Sequence, residues 1–194
     1  MTMTKKIWII VGLVVLILIL WIAGTYNRFV GLNTTVDKQW ADIQTQYQRR
    51  VDLIPNLKNI VEVAAGFEQS TLLAVTEART QWLNAKETPG NTDDISAARS
   101  FDGALARLLV TVENYPQLRA TESFRDFMAQ LEGTENRIAV ARERYNGGVL
   151  EMNTAVKRFP SVLIARMFGF DARTFFEAAA GSGNAPEVKF NFGK

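Results

Sequence analysis

The sequence predicts an all-α protein in which an N-terminal transmembrane helix is followed by long helices packed as a bundle. Three observations carry that class. An unbroken apolar run extends from Ile7 to Ala23, directly after Lys5 and Lys6. Apolar side chains then recur at sevenfold spacing over most of the remaining chain. Strand-like alternation is confined to the final residues.

The apolar run is long enough to cross a bilayer. At the helical rise it covers about 26 Å, and Lys6 to Thr25 covers about 30 Å, the thickness of a hydrocarbon core. Thirteen of the seventeen are Ile, Leu or Val, each worth about −0.3 to −0.6 kcal/mol near a helix centre on the insertion scale. Trp8 and Trp21 bracket the run where interfacial indoles belong, and Leu16 lies near its middle. A cleaved signal peptide begins in the same way, but its apolar core is shorter, about 7 to 15 residues, and Ile22-Ala23-Gly24-Thr25 offers no clean small-x-small site. Residues 1–25 are therefore expected to be a retained, single-pass anchor. Lys5, Lys6 and the amino group face only Arg28 and Lys38 across it, so the positive-inside rule favours a cytoplasmic N-terminus and an extracytoplasmic domain.

Composition removes whole classes of chemistry. The chain has 194 residues, and 22 Lys plus Arg against 20 Asp plus Glu are nearly balanced, so no long-range pull on nucleic acid is implied and no nucleic-acid partner is expected. Cys and His are both absent. Thiol nucleophiles, disulfides, Ser-His-Asp triads and Cys or His zinc sites are thereby excluded. A carboxylate di-iron bundle needs Glu-x-x-His pairs that this chain lacks. Glu132 and Glu135 offer at most carboxylates for a hard cation, and a solvated helix face is their ordinary role. No catalytic, metal or cofactor residues are assigned, and no enzyme activity is expected.

Phe29, Val36 and Ile43 recur every seven residues, interleaved with Trp40, Tyr47 and Ile54, as one helix stripe continuing from the anchor. The stripe resumes beyond Pro55 as Leu57, Ile60, Ala64, Phe67, Thr71, Val75, Ala78 and Trp82. Asp52-Leu53-Ile54-Pro55 fits either an N-cap with proline in the first turn of a new helix or a kink within one helix. A turn gives four helices running up, down, up, down, with Phe159 back at the bilayer. A kink gives three, with Phe159 far from it. Lys86 to Asp94 reads as a loop around Pro89-Gly90. A third helix, opened by Thr92 or Asp93, carries Ile95, Ala98, Phe101, Leu105, Leu108 and Val112 and ends before Tyr115-Pro116.

Thr121 is placed to cap a fourth helix. Its seam is Phe124, Leu131, Ile138, Tyr145, Met152 and Phe159, flanked by Met128, Glu135, Arg142, Val149 and Val156, and Pro160 stops it. Glu135 and Arg142 lie about 10.5 Å apart along the axis, too far to pair within one helix. Each is expected to meet an opposite charge on a neighbouring helix and fix bundle register, or to snorkel at the stripe edge.

Residues 26–160 thus form the helical bundle, and residues 161–180 an apolar C-terminal segment with a short helix that Asp171 can cap and that carries Phe175 and Phe176. Leu163, Arg166, Phe168, Phe170, Phe175 and Phe176 are the candidate interface or lipid-contact residues. Residues 181–194 read as a flexible spacer and an extended tail, in which Val188, Phe190 and Phe192 alternate with polar neighbours. A lone strand is unstable, so this tail is expected to lie on the bundle or to mediate self-association.

The ordered set Trp40-x-x-Ile43, Arg50-Val51-Asp52-Leu53-Ile54-Pro55-Asn56-Leu57, Ala78-Arg79, Glu113-x-Tyr115-Pro116, Glu135-x-x-Ile138-x-x-x-Arg142-x-x-Tyr145-Asn146, Asn153, Phe159-Pro160, Gly169-Phe170 and Pro186-x-Val188-x-Phe190 resembles the LemA family of bacterial membrane proteins. The resemblance spans nearly the whole chain. It implies an antiparallel (up-down) four-helix bundle after the membrane helix, a turn at Pro55, and a place in the bacterial cytoplasmic (inner) membrane. It implies no particular activity. Where the family's second helix is expected to carry a His-Glu pair, this chain has Phe67-Glu68, so histidine chemistry is not carried over.

The functional expectation is a non-enzymatic, membrane-anchored scaffold that self-associates as a homo-oligomer and organises partners, including other membrane proteins, at the membrane surface. The alternative is a lipid-binding or membrane-shaping protein acting through Leu163 to Phe176. An Asp/Glu-dependent enzyme is the least supported reading, because no acid and base pair is placed.

Overall fold

The computed structural model describes residues 3–62, 67–85 and 92–176. Its first helix, α1 (Met3–Val51), is continuous from the apolar run into the soluble body. Gly24 and Gly31 do not interrupt it, since the flanking residues supply the hydrogen-bond ladder that a lone glycine weakens by only about 1 kcal/mol. Through the run the side chains stand exposed, with Trp8 at 76%, Leu16 at 53% and Trp21 at 37%. From Phe29 onward the same helix buries Val36, Trp40, Ile43, Tyr47 and Val51. Among the described residues it is the one helix long and apolar enough to cross a membrane.

Pro55 kinks this helix and does not reverse it, which corrects the expectation of a turn there. Pro55 has no N–H for the Val51 carbonyl, yet Asp52 N still donates to Gln48 O at 2.9 Å and Leu57 N to Leu53 O at 3.2 Å. The short α2 (Ile54–Glu62) therefore carries the stripe onward through buried Ile54, Leu57 and Val61. The reversal comes later, between α2 and α3 (Gln69–Ala85), so the stripe from Leu57 to Trp82 is divided between two helices. The kink leaves the helix count intact. Phe67 meets Tyr115 at 5.0 Å, and Trp82 meets Tyr47 at 4.7 Å, so α3 runs back toward the membrane.

α4 (Thr92–Val112) runs outward beside α3, its first turn taking Thr92 to Asp94 out of the expected loop. The single turn α5 (Pro116–Arg119) buries Leu118, and α6 (Glu122–Lys157) starts where Thr121 Oγ1 accepts the Phe124 N–H at 3.3 Å. Phe124, Leu131, Ile138, Tyr145 and Met152 are all buried, as the sevenfold seam predicts. α6 ends before Phe159, which is 77% exposed. The helices run up, down, up and down, and α6 brings the chain back to the foot of α1.

The chain past Pro160 departs from expectation. The helix is α7 (Ser161–Phe168), closed by Gly169 at φ 72°, and residues 170–176 are extended rather than helical. Phe170 N bonds to Ala165 O at 2.9 Å, completing the left-handed cap that glycine favours. Asp171 therefore caps no helix. The spacer at 181–184 and the tail residues Val188, Phe190 and Phe192 lie outside the described residues.

Candidate functional site

The polar interior of the bundle is concentrated where α1, α4 and α6 meet. Arg50 occupies the heptad position that follows Phe29, Val36 and Ile43, so helix geometry drives a guanidinium into the core, where only 2% of the residue is exposed. Burial of that charge is tolerable only with partners. Its Nη1 donates to Asp102 Oδ1 at 2.8 Å, its Nε to Thr134 Oγ1 at 3.3 Å, and its Nη2 to Glu135. Arg142 donates to the second Asp102 oxygen and to the Tyr47 hydroxyl, and that hydroxyl donates to Asp102 Oδ2 at 2.8 Å. Two guanidiniums and two carboxylates balance.

Glu135 and Arg142 thus each face an opposite charge on another helix, Arg50 on α1 and Asp102 on α4. The two are not equivalent. The Glu135 side chain is 56% exposed and that of Arg142 23%, so solvent screens the first far more. The Arg142 guanidinium also lies over the rings of Phe176, at 4.6 Å, and Tyr47, at 5.5 Å.

The ionisation states follow. Burial, then the Asp102 charge, pushes the Tyr47 phenol far above its usual range. Burial raises the Asp102 carboxyl, against the pull of Arg142, Tyr47 and Arg50. Burial works against the Arg142 charge, and Tyr47 and Asp102 outweigh it, so its pKa is raised. The phenol stays protonated and the guanidinium charged near neutral pH. Each group is committed to another, and the cluster acts as a lock rather than as an acid and base poised for proton transfer. Among the described residues, no group of three or more carboxylates stands close enough to hold a metal ion.

A strap made of residues 170–176 lies beside this cluster. Asn153 Nδ2 donates to Arg173 O at 2.9 Å, and Arg173 N donates back to Asn153 Oδ1 at 2.7 Å. One heptad earlier, Asn146 does the same with Phe176, at 2.9 and 2.8 Å. The spacing matches because seven helical residues rise about 10.5 Å and three extended ones about 10 Å. Tyr145 adds a hydroxyl bond to Thr174 O at 2.9 Å, and the Arg173 side chain reaches Asn33 and Asp37 on α1 at 2.7 and 3.0 Å. Amide pairs in register take up the backbone groups that would otherwise favour a helix.

The strap divides the residues expected to form an interface. Phe176 is 3% exposed and packs near Trp40 and Tyr47, so it belongs to the core. Phe170 is half-buried and stacks on Phe29 at 5.0 Å. Leu163, Arg166, Phe168 and Phe175 remain exposed. A β-carbon at Gly148 would meet the amide end of the Gln39 side chain, so that side chain lies over the glycine.

Asp102 escaped the sequence reading, and Arg50, Asn146 and Asn153 entered it only within the family resemblance, with no role assigned. Arg50 continues the heptad count of its helix, and Asp102 is the sole acid of α4 beyond its first turn. Asn146 and Asn153 each follow a seam residue at sevenfold spacing. Those signals were present but fell outside a purely apolar pattern.

Residues 39–190 match the LemA family. Magnetosome proteins MamQ 2 and MamQ 1 of Paramagnetospirillum magneticum are each 26% identical to this chain over 175 residues, covering 78% of it and 64% of the relative. Magnetosome protein MamQ of Magnetospirillum gryphiswaldense is 25% identical over 174 residues, with the same shares. The chain thus spans less than two thirds of the length of these curated relatives. A long apolar N-terminal helix under a helical body fits a membrane location. With its family match running from Gln39 through the bundle and beyond the strap, this chain belongs to the LemA family.

Proposed function

We propose that this protein is a non-enzymatic scaffold of the bacterial cytoplasmic membrane, whose extracytoplasmic bundle self-associates and organises partners at the membrane surface. One observation carries the reading. α1 is a single helix bearing both the membrane-length run and the core seam, so the body is coupled rigidly to its anchor. A rigid post presents its lateral faces at fixed height and orientation. Confinement to a surface raises the effective concentration of neighbours, and weak lateral contacts then suffice.

The non-enzymatic part is supported by the ionic cluster, whose buried groups are consumed in pairing one another. A lateral surface is available on the side of the α1–α6 pair away from the strap, where Asp42, Gln46, Arg137 and Arg144 line an open polar groove of about 460 Å³. Mixed charge on an exposed groove suits reversible contact with a second copy.

Amine cross-linking of the full-length protein in native membranes is the test. A ladder of species at multiples of the monomer mass is expected. Monomer alone, at cross-linker levels that trap a known membrane oligomer in the same sample, contradicts self-association.

A further inference from the structure

The foot of the bundle carries an apolar surface that the core does not use. α7 buries Ile164 and Ala165 against the body, leaving Leu163 at 56%, Met167 at 61% and Phe168 at 47% exposed. Phe159, just before the helix, is 77% exposed. Four large apolar side chains on one short segment exceed the scattered exposure normal for a surface.

The height of this surface is fixed by its contacts. Phe168 meets Tyr26 edge-on at 4.9 Å. Tyr26 lies three residues beyond Ala23, about 4.5 Å along the helix from the end of the apolar run. The exposed face of α7 therefore sits at the lipid–water boundary that α1 itself defines, continuous with the anchor. An in-plane helix with apolar side chains toward the acyl boundary is what that depth accommodates.

The charge around it has one sign. Arg28, Lys157, Arg158 and Arg166 are all exposed, and among the described residues none of them forms an ion pair. The antiparallel pairing that sets Trp40 against Tyr145 brings Arg158 opposite the Arg28 level, so two arginines share one height. The acid among residues 24–33 and 157–172 is Asp171.

We infer that α7 is a second membrane contact, an interfacial helix that inserts Phe159, Leu163, Met167 and Phe168 and gathers anionic phospholipid headgroups on Arg28, Lys157, Arg158 and Arg166. The single-pass anchor then has a lateral foot, and the end of α6 is tied to the bilayer. This inference goes beyond scaffolding and does not depend on self-association.

The absence of native cysteine makes the test clean. Full-length protein bearing Leu163→Cys, Met167→Cys or, as a control two turns up α6, Leu150→Cys is labelled with an environment-sensitive fluorophore. It is reconstituted in vesicles of phosphatidylcholine, with and without phosphatidylglycerol, containing brominated acyl chains. Strong quenching at 163 and 167, with little at 150, is expected. Equal quenching at all three sites overturns the insertion. For the headgroups, Arg158→Gln with Arg166→Gln should lower the enrichment of phosphatidylglycerol around the protein about fivefold per basic residue removed. Unchanged enrichment overturns the anionic preference. Retained helical circular dichroism separates either result from misfolding.

Discussion

The two ends of the bundle reach the same compactness by different means. Away from the membrane, α1–α2, α3, α4 and α6 pack side chain on side chain, with the Arg50–Asp102–Arg142 cluster at mid-length of α4. Near the membrane, α3 and α4 are gone. With 21 residues in α4 against 36 in α6, about 22 Å of α6 extends past α4 and keeps α1 as its one long helical partner. α7 and the strap fill that space, held by asparagine amides and the Tyr145 hydroxyl. A helical bundle can thus be closed by backbone hydrogen bonding where helices run out.

The sharpest way to break the contrast is in the distal half. Asp102→Ala strands two guanidiniums and should cost about 3 to 5 kcal/mol, read as a lower thermal midpoint by circular dichroism in detergent. Glu135→Ala removes an exposed partner and should cost about 0 to 1 kcal/mol. Equal losses would mean that burial does not set the value of these pairs, and the register role proposed for Glu135 and Arg142 would lose its basis.

In the proximal half, Asn146→Ala and Asn153→Ala each delete two bonds to the strap, about 1 to 3 kcal/mol apiece where the backbone groups stay buried. The loss should be local. Hydrogen exchange is expected to quicken at residues 170–176 while α3 and α4 amides keep their protection, whereas uniform deprotection would make the strap part of one cooperative core.

A smaller contrast lies within one dipeptide. Gly147 has open space around it, so Gly147→Ala should stabilise by about 0.5 to 1 kcal/mol through helix propensity. Gly148→Ala must swing the Gln39 amide aside, and should stabilise less than Gly147→Ala. Equal stabilisation by both would mean that Gln39 moves aside without cost.

The smallest effect is a titration. Burial, then Asp93, raises the Asp94 carboxyl from 3.8 to about 6. The folded chain binds this proton more tightly than the unfolded one, so its contribution is full below about pH 4 and is lost as pH rises through about 6. Asp94→Asn should therefore raise the melting temperature above that range and leave it unchanged at acid pH.

What the sequence made legible was periodic. The apolar run, the α6 seam and the Thr121 cap depend on local spacing, and each appears where the pattern puts it. Pro55 stayed ambiguous because proline disrupts one hydrogen bond whether a helix turns or bends, and the turn that the family resemblance implied there is not what the structure has. Phe175 and Phe176 were misread as helical because the asparagines that hold their backbone extended lie 20 to 30 residues away on α6. The ionic cluster was half legible: its α6 members stood out in an apolar seam, while Arg50 and Asp102 needed the third dimension.

The central claim is that membrane span and bundle are one rigid helix. Spin labels on Val14→Cys and Leu150→Cys, in full-length protein diluted with unlabelled copies in lipid, measure it by pulsed electron resonance. Extending the α1–α6 pairing that sets Trp40 against Tyr145 places Leu150 about 21 residues above Val14, and a single narrow distance of about 33 Å is predicted. A broad distribution, as from a hinge at Gly24 or Gly31, would contradict it.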